Sequence, residues 1–281
     1  MTLASTRDLI DRAVTAASAV PAINVISLDS AEAIVAGAER AGVGVLLQVS
    51  ENAIAFRGSA SPILAACAEL ALGASVPIGI HVDHVVDLDL VTAVLSDAQR
   101  LGVGSIMIDA SEQEFDRNLE VTADVAARAH AVGLWVEAEL GEIGGKDGAH
   151  APGVRTDPTD AADFVARTGV DGLAVAVGSS HAMTERTASL DVELIASIAA
   201  AVPVPLVLHG SSGVPDAEVR AAVRAGIRKV NVGTALNAAW TATLRRELGA
   251  QPEVTDPRRY DRAARDAVAD VVAVLCGVIA G

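Results

Sequence analysis

Aromatic residues are nearly missing from this chain, which has three Phe, two Trp and one Tyr in 281 residues. Its core must therefore be aliphatic, built from the Ala, Val, Leu and Ile that dominate a hydrophobic content of 51%. Cysteine is equally scarce. Cys67 and Cys276 lie far apart without CxxC spacing, which fits two buried thiols in a reduced compartment better than a disulfide framework. There is no excess of base, since 21 Lys and Arg face 36 Asp and Glu for a formal charge of −15. That balance opposes attraction to nucleic acid or anionic lipid, so an anionic ligand needs a local cationic or amide-lined site. No uninterrupted apolar run is long enough to span a bilayer: Asp270 breaks "AVADVVAVLCGVIAG", and Pro203 and Pro205 break residues 194–208. Asp8 and Asp11 fall where a signal peptide needs an unbroken apolar stretch, so a soluble, cytoplasmic protein is expected.

What is present is repetition. Short apolar or β-branched runs recur at roughly thirty-residue intervals, as expected of strand–loop–helix units. They are "AINVI" from Ala22, "VLLQVS" from Val45, "IGIHVD" from Ile78, "SIMIDA" from Ser105, "LWVEAEL" from Leu134, "LAVAVG" from Leu173, "PLVLHG" from Pro205 and "KVNVG" from Lys229. Ala-rich amphipathic segments that end near glycine separate them. Alternation without a long linker, and without a GxGxxG after the first strand, favours a closed α/β barrel of the (β/α)8 type over a doubly wound sheet. Residues 1–281 are read as one such domain, with a helix before Ala22 covering one end and a helical tail after Pro252. The longest insertion, residues 141–158, is rich in Gly and Pro and follows the fifth strand. It is expected at the catalytic end, as loops of that length often are functional.

The pleat then sorts each strand into two faces. Ile78, Ile80 and Val82 share one face and His81 and Asp83 the other. Leu134, Val136, Ala138 and Leu140 oppose Trp135, Glu137 and Glu139; Leu206 and Leu208 oppose Val207 and His209; Val230 and Val232 oppose Lys229, Asn231 and Gly233. Asn24, Gln48, Ser50 and Asp109 join the second set. The aliphatic face must meet the helices, so the polar set points at the barrel axis, where burying ions without partners costs several kcal/mol each as a rough scale. Such an interior points to a site. His84, one residue past Asp83 where the strand should turn into its loop, His181 after the sixth strand and His209 closing the seventh converge on one rim. Three imidazoles with an open fourth position are a ligand set for catalytic Zn²⁺. His81 is expected to orient either Asp83 or a metal ligand from behind, while His130 and His150 read as surface residues. Small residues in "HGSSG", 209–213, and "NVGT", 231–234, allow backbone amides to approach a phosphate.

Taken in order, "PAINV", "HVDH", "SIMIDAS", "VEAELGEIGG", "TGVDGLAVAVGSSH", "LVLHGSSG", "KVNVGT" and "DPRRY" resemble the class II, metal-dependent fructose-bisphosphate and tagatose-bisphosphate aldolases over nearly the whole chain. The resemblance implies that His84, His181 and His209 bind Zn²⁺, with Glu139 as an alternative ligand and room for a second cation. It implies that Asp83 exchanges the proton at the C4 oxygen, and that Gly210, Ser212, Asn231 and Thr234 help hold dihydroxyacetone phosphate. Asn24, Ser50, Ala182, Ser211 and Gly233 complete the expected substrate-binding set. A homodimer or homotetramer is also implied. The chemistry agrees: breaking a bond next to a ketone leaves negative charge that a bound cation stabilises, and no Schiff-base lysine is needed. Lys229 faces the axis but is placed at the opposite, strand-starting end.

Three departures bear on the details. The family loop resembles GGxEDG, whereas this chain reads "GGKDG"; Asp147 is the first choice for the missing base and Glu142 the second. Ala182 stands where the family has glycine. Gly233 stands where some fructose-bisphosphate enzymes have aspartate and tagatose-type ones a small residue. The leading substrate is fructose 1,6-bisphosphate, with tagatose bisphosphate or another sugar phosphate next. A metal-dependent hydrolase would more naturally show HxH at the first strand, which "AINVI" lacks. A non-catalytic sugar-phosphate sensor is the reading left by the altered loop.

Overall fold

The computed structural model describes residues 2–141, 154–181, 183 and 185–281. Their strands are β1 (Val20–Asn24), β2 (Val45–Ser50), β3 (Ile78–Val85), β4 (Ser105–Ile108), β5 (Trp135–Leu140), β6 (Gly172–Val175), β7 (Leu206–Leu208) and β8 (Ile227–Val232). They pair in parallel and in chain order, and β8 closes on β1 through pairs such as Ala22 with Asn231. The chain is a (β/α)8 barrel. Its helices are α1 (Thr6–Thr15), α2 (Leu28–Ala41), α3 (Glu51–Arg57), α4 (Ser61–Gly73), α5 (Leu88–Leu101), α6 (Phe115–Ala131), α7 (Pro158–Thr168), α8 (Val192–Ala201), α9 (Asp216–Ala225), α10 (Thr234–Ala250) and α11 (Pro257–Ile279). No helix among the described residues is long and apolar enough to cross a membrane.

Local signals set the helix ends. Ser27 and Ser30 form a reciprocal capping box on α2, and Asp157 caps α7 by accepting from the amides of Thr159 and Asp160, with Pro158 at the first turn. Two separate cores follow from the pleat. Ile78, Ile80, Val82, Val136, Leu206, Leu208 and Val230 belong to the layer between strands and helices. Val20, Ala22, Leu46, Met107, Trp135, Ala174 and Val207 fill the barrel interior with Leu9, Ile10 and Ala13 of α1. The amphipathic α1 thus plugs the end where the strands start, and full burial of Leu9 and Ile10 contributes about 1.5–3 kcal/mol each. Above this plug the interior turns polar.

Two expectations change. The segment after Pro252 is more than a tail: α11 packs along α2 and α10 and touches β1 and α9, so it closes the outer helical layer. Gly37 on α2 makes this possible, since a Cβ there would lie 2.5 Å from the Ala269 carbonyl oxygen and 2.6 Å from Val272 Cβ. In addition, β3 does not end at Asp83. It runs to Val85, with His84 at φ 48° and a register shift against β4 between Val82 and Val85. This bulge breaks the alternation. A side chain that simple alternation would send outward is thereby turned toward the rim.

Candidate active site

Strand register brings the polar side chains to one level. Asn24 pairs with Gln48, Gln48 with His81, and Ser50 with Asp83 across β1, β2 and β3. The Gln48 amide donates to Asn24 Oδ1 at 2.8 Å and to Asp83 Oδ2 at 3.1 Å. His81 is fully buried, with Nδ1 2.8 Å from Ser105 Oγ and Nε2 3.6 Å from Asp83 Oδ1. Ser105 in turn meets Thr6 Oγ1 at 2.6 Å, which ties α1 to this layer.

His84, His181 and His209 come together at the carboxyl end. Their ring centroids lie 5.2 Å (84 to 181), 4.6 Å (84 to 209) and 5.8 Å (181 to 209) apart. One donor nitrogen from each falls within 4.8 Å of the others, so the trio can hold a metal ion. Each of two rings is backed by a carboxylate. His84 Nδ1 lies 2.7 Å from Asp109 Oδ2, and His209 Nε2 lies 2.8 Å from Glu137 Oε1. Burial pushes the Glu137 carboxyl up, but Lys229, the His209 hydrogen bond and His81 outweigh it and hold it at about 2. Burial and the neighbouring His84 push His209 down to about 4, so it is neutral at pH 7.

These partners decide the tautomers. Glu137, held ionised, only accepts, so His209 Nε2 carries the proton toward it, and His84 Nδ1 meets Asp109 in the matching arrangement. The nitrogens that remain, His209 Nδ1 and His84 Nε2, face each other at 2.8 Å with lone pairs forward. Two such nitrogens at that distance share either a proton or a metal ion, and carboxylate-backed histidines are the usual way of orienting metal ligands. The residues fit a divalent cation. Glu139 is buried, accepts from Ser111 Oγ at 3.2 Å, and belongs with His84 and Asp109 to a second group able to hold an ion.

Asp83 lies beside this trio. Burial pushes its carboxyl up, but His84, His81, His209 and Lys229 hold it well below the usual carboxylate range, so it is ionised at neutral pH. Asp83 and the histidines open into a cavity of about 370 Å³. Asn24, Ser50, Gly210, Ser211, Ser212, Asn231, Gly233 and Thr234 line it as well. Beside Gly233 and Thr234 of this lining α10 begins, with no capping side chain on Gly233; Ser212 Oγ accepts from Ala235 N at 3.2 Å, and the Gly233 carbonyl accepts from Leu236 N at 3.0 Å. Such a helix start suits a phosphate. Glu142, Asp147 and Ala182, as well as His150, lie outside the described residues.

Several neighbours escaped the sequence reading. Asp109 and Glu137 were visible as inward residues, and the need of a ligating histidine for a carboxylate could have given them a role. Asn52, Phe56 and Asn237 also line the cavity, and no pattern in the chain marks them. Lys229 requires a correction. Its Cα lies low on β8, but its extended side chain carries Nζ up to 2.8 Å from Glu137 Oε2 and 2.9 Å from Asn231 Oδ1. The ammonium therefore sits under the histidines and not at the opposite end.

The family model "Fructose-bisphosphate aldolase class-II" matches residues 4–280. The crystal structure of the YdjI aldolase from Escherichia coli K12 is 30% identical, covering 98% of this chain and 96% of its own, with a TM-score of 0.84. A fructose-bisphosphate aldolase from Campylobacter jejuni, at 22% identity, shares the fold with a TM-score of 0.83 over 97% of this chain and 93% of its own.

Proposed function

The chain belongs to the class II fructose-bisphosphate aldolase family, and from that premise we propose that it is a zinc-dependent lyase that reversibly cleaves fructose 1,6-bisphosphate to dihydroxyacetone phosphate and an aldehyde. As a member it is an aldehyde-lyase, in a family that typically depends on a metal. The observation that carries the zinc reading is the approach of His84 Nε2 to His209 Nδ1 with a carboxylate behind each ring. His84, His181 and His209 would hold the ion, with Glu139 near enough to His84 to serve as a further ligand. When bound, Zn²⁺ supplies Lewis-acid polarisation of the ketone and stabilises the negative charge left as the carbon bond breaks.

The remaining work falls to side chains. Asp83, ionised and held by Gln48, accepts the proton of the C4 hydroxyl during cleavage and returns it during condensation. Asn24, Ser50 and Asn231 orient the hydroxyls along the cavity. Gly210, Ser211, Ser212, Gly233 and Thr234 receive the phosphate at the start of α10. Asp147, or Glu142 after it, is the proposed base at the carbon next to the ketone, and Ala182 the proposed backbone neighbour of the phosphate. A cytoplasmic homodimer or homotetramer remains the proposed form. Gly233 supports tagatose 1,6-bisphosphate as a second substrate, because tagatose-type enzymes carry a small residue at this position, which lies beside Asn24 in the cavity.

The test is release of triose from either bisphosphate, coupled to a dehydrogenase, with and without a chelator. Cleavage abolished by the chelator and restored by zinc is expected. Chelator-resistant cleavage contradicts the metal role, and no cleavage of any ketose bisphosphate by zinc-loaded protein contradicts the lyase.

A further inference from the structure

We propose that Lys229 is a positioning residue of the metal site, which fixes through Glu137 and Asn231 the ring nitrogen that His209 presents to the ion. The inference rests on the metal reading above and adds to it a residue outside the proposed ligands and the cavity lining.

Lys229 is fully buried on the barrel axis, and its ammonium pairs as an ion with Glu137 Oε2 at 2.8 Å and donates a hydrogen bond to Asn231 Oδ1 at 2.9 Å. Each contact selects an orientation. With Oε2 held by Lys229, Glu137 turns Oε1 toward His209 Nε2 at 2.8 Å, so the ring proton stays on Nε2 and the Nδ1 lone pair is left for the ion. An asparagine amide can present either end, but an ammonium only donates, so it draws Oδ1 downward. Nδ2 then faces Asp83 Oδ1 at 3.5 Å and the His209 ring at 3.1 and 3.3 Å. One cation thus orients both a ligand and the neighbour of the proposed base. Desolvating two full charges costs several kcal/mol per ion, so such a pair is a poor source of net stability and its account lies in what it holds in place.

The experiment compares wild-type protein with K229M, K229R and the double variant K229M/E137Q, each stripped of metal. Zinc affinity is measured by competition with a chromogenic chelator, coordination from the visible bands of the Co²⁺-loaded form, and folding from the melting of the apo form. Lys229→Met is expected to weaken zinc binding about 10- to 100-fold, the usual effect of losing a partner behind a metal ligand. It should also shift the Co²⁺ bands and lower kcat more than it raises KM. The double variant should regain part of the affinity, because the amide carbonyl of E137Q still accepts from His209 and leaves no unpaired charge. If K229M does not fold, K229R keeps the charge but cannot seat one ammonium between both acceptors, and shifted Co²⁺ bands are expected from it. Wild-type zinc affinity and Co²⁺ bands in these variants, with only the apo melting temperature lowered, would overturn the proposal in favour of a packing role. A wild-type protein that binds no zinc would overturn the metal reading itself and this inference with it.

Discussion

Substituting Gly210 by alanine should damage the metal site through the backbone alone. Gly210 follows His209 and sits at φ 64°, where an L-residue costs about 1–2 kcal/mol. Its added Cβ would lie 2.6 Å from both the carbonyl carbon and oxygen of Ser180, and 2.9 Å from its nitrogen. Those are main-chain atoms with no rotamer to yield, so Ser180 must retreat by about 0.8 Å to reach the 3.4 Å at which ordinary contact begins. Ser180 precedes His181, so the push falls between two proposed ligands, and a misplacement approaching 1 Å can lower a rate about 10²-fold. Gly133, between α6 and β5, provides the control, since it has φ 82° with nothing within 4 Å of an added Cβ. G133A should lose about 1–2 kcal/mol, or a few degrees of Tm, with kcat and zinc affinity intact. G210A should show a similar backbone cost together with a roughly 10²-fold lower kcat and weaker zinc binding. Thermal melting, the coupled cleavage assay and chelator competition measure these three quantities. Equal behaviour of the two variants in cleavage and zinc binding would refute the reasoning.

Other consequences are as direct. Asp83→Asn should lower kcat by about 10²–10⁴ while leaving zinc affinity near wild type; equal loss of both would make Asp83 a structural partner of the site. Asp171 accepts from Arg7 at 2.6 Å, His130 Nε2 at 2.8 Å and Val136 N at 2.8 Å. Burial pushes Asp171 up, but Arg7, the Val136 amide and His130 outweigh it and lower its pKa. A depressed carboxylate stabilises the fold above its unfolded pKa and loses that contribution as pH falls through the folded value. Urea unfolding should therefore show D171A less stable by about 1–3 kcal/mol above about pH 5, with the gap closing in acid; a gap independent of pH contradicts the assignment. Gly37→Leu should lower Tm by overpacking α2 against α11, at about 1–3 kcal/mol or more, and an unchanged Tm would mean that α11 does not close the layer. Zinc at about 100 times its Kd should raise wild-type stability by about 2.7 kcal/mol over the stripped form, whereas no shift in melting would argue against a folded-state site.

The barrel was legible because its two physical requirements leave marks in the chain. Aliphatic side chains must alternate toward the helices, and polar ones at the axis then stand out, as in "IGIHVD" and "VEAEL". The end of β3 was harder to read. Nothing in "HVDHVV" announces that His84 takes a positive φ and extends the strand through a bulge, because that conformation is imposed by its neighbours and not by histidine's own preference. Lys229 was misplaced for a different reason. Alternation locates its Cα but says nothing of how far a four-carbon chain climbs toward Glu137. Helix α11 read as a tail since its amphipathic pattern gives no hint of which groove it fills, a fact set by the small Gly37 on a distant helix. The carboxylates behind the histidines were seen as positions without partners, because partner choice depends on the shear between strands.

Three imidazoles from three strand ends around one cation form the central claim, and X-ray absorption at the zinc edge of metal-loaded wild-type protein tests it most directly. The expected spectrum has nitrogen or oxygen neighbours at about 2.0–2.1 Å with the scattering pattern of three imidazoles, reduced to two when His84, His181 or His209 is replaced by alanine. A sulfur neighbour, or an imidazole count that none of these replacements alters, would contradict it.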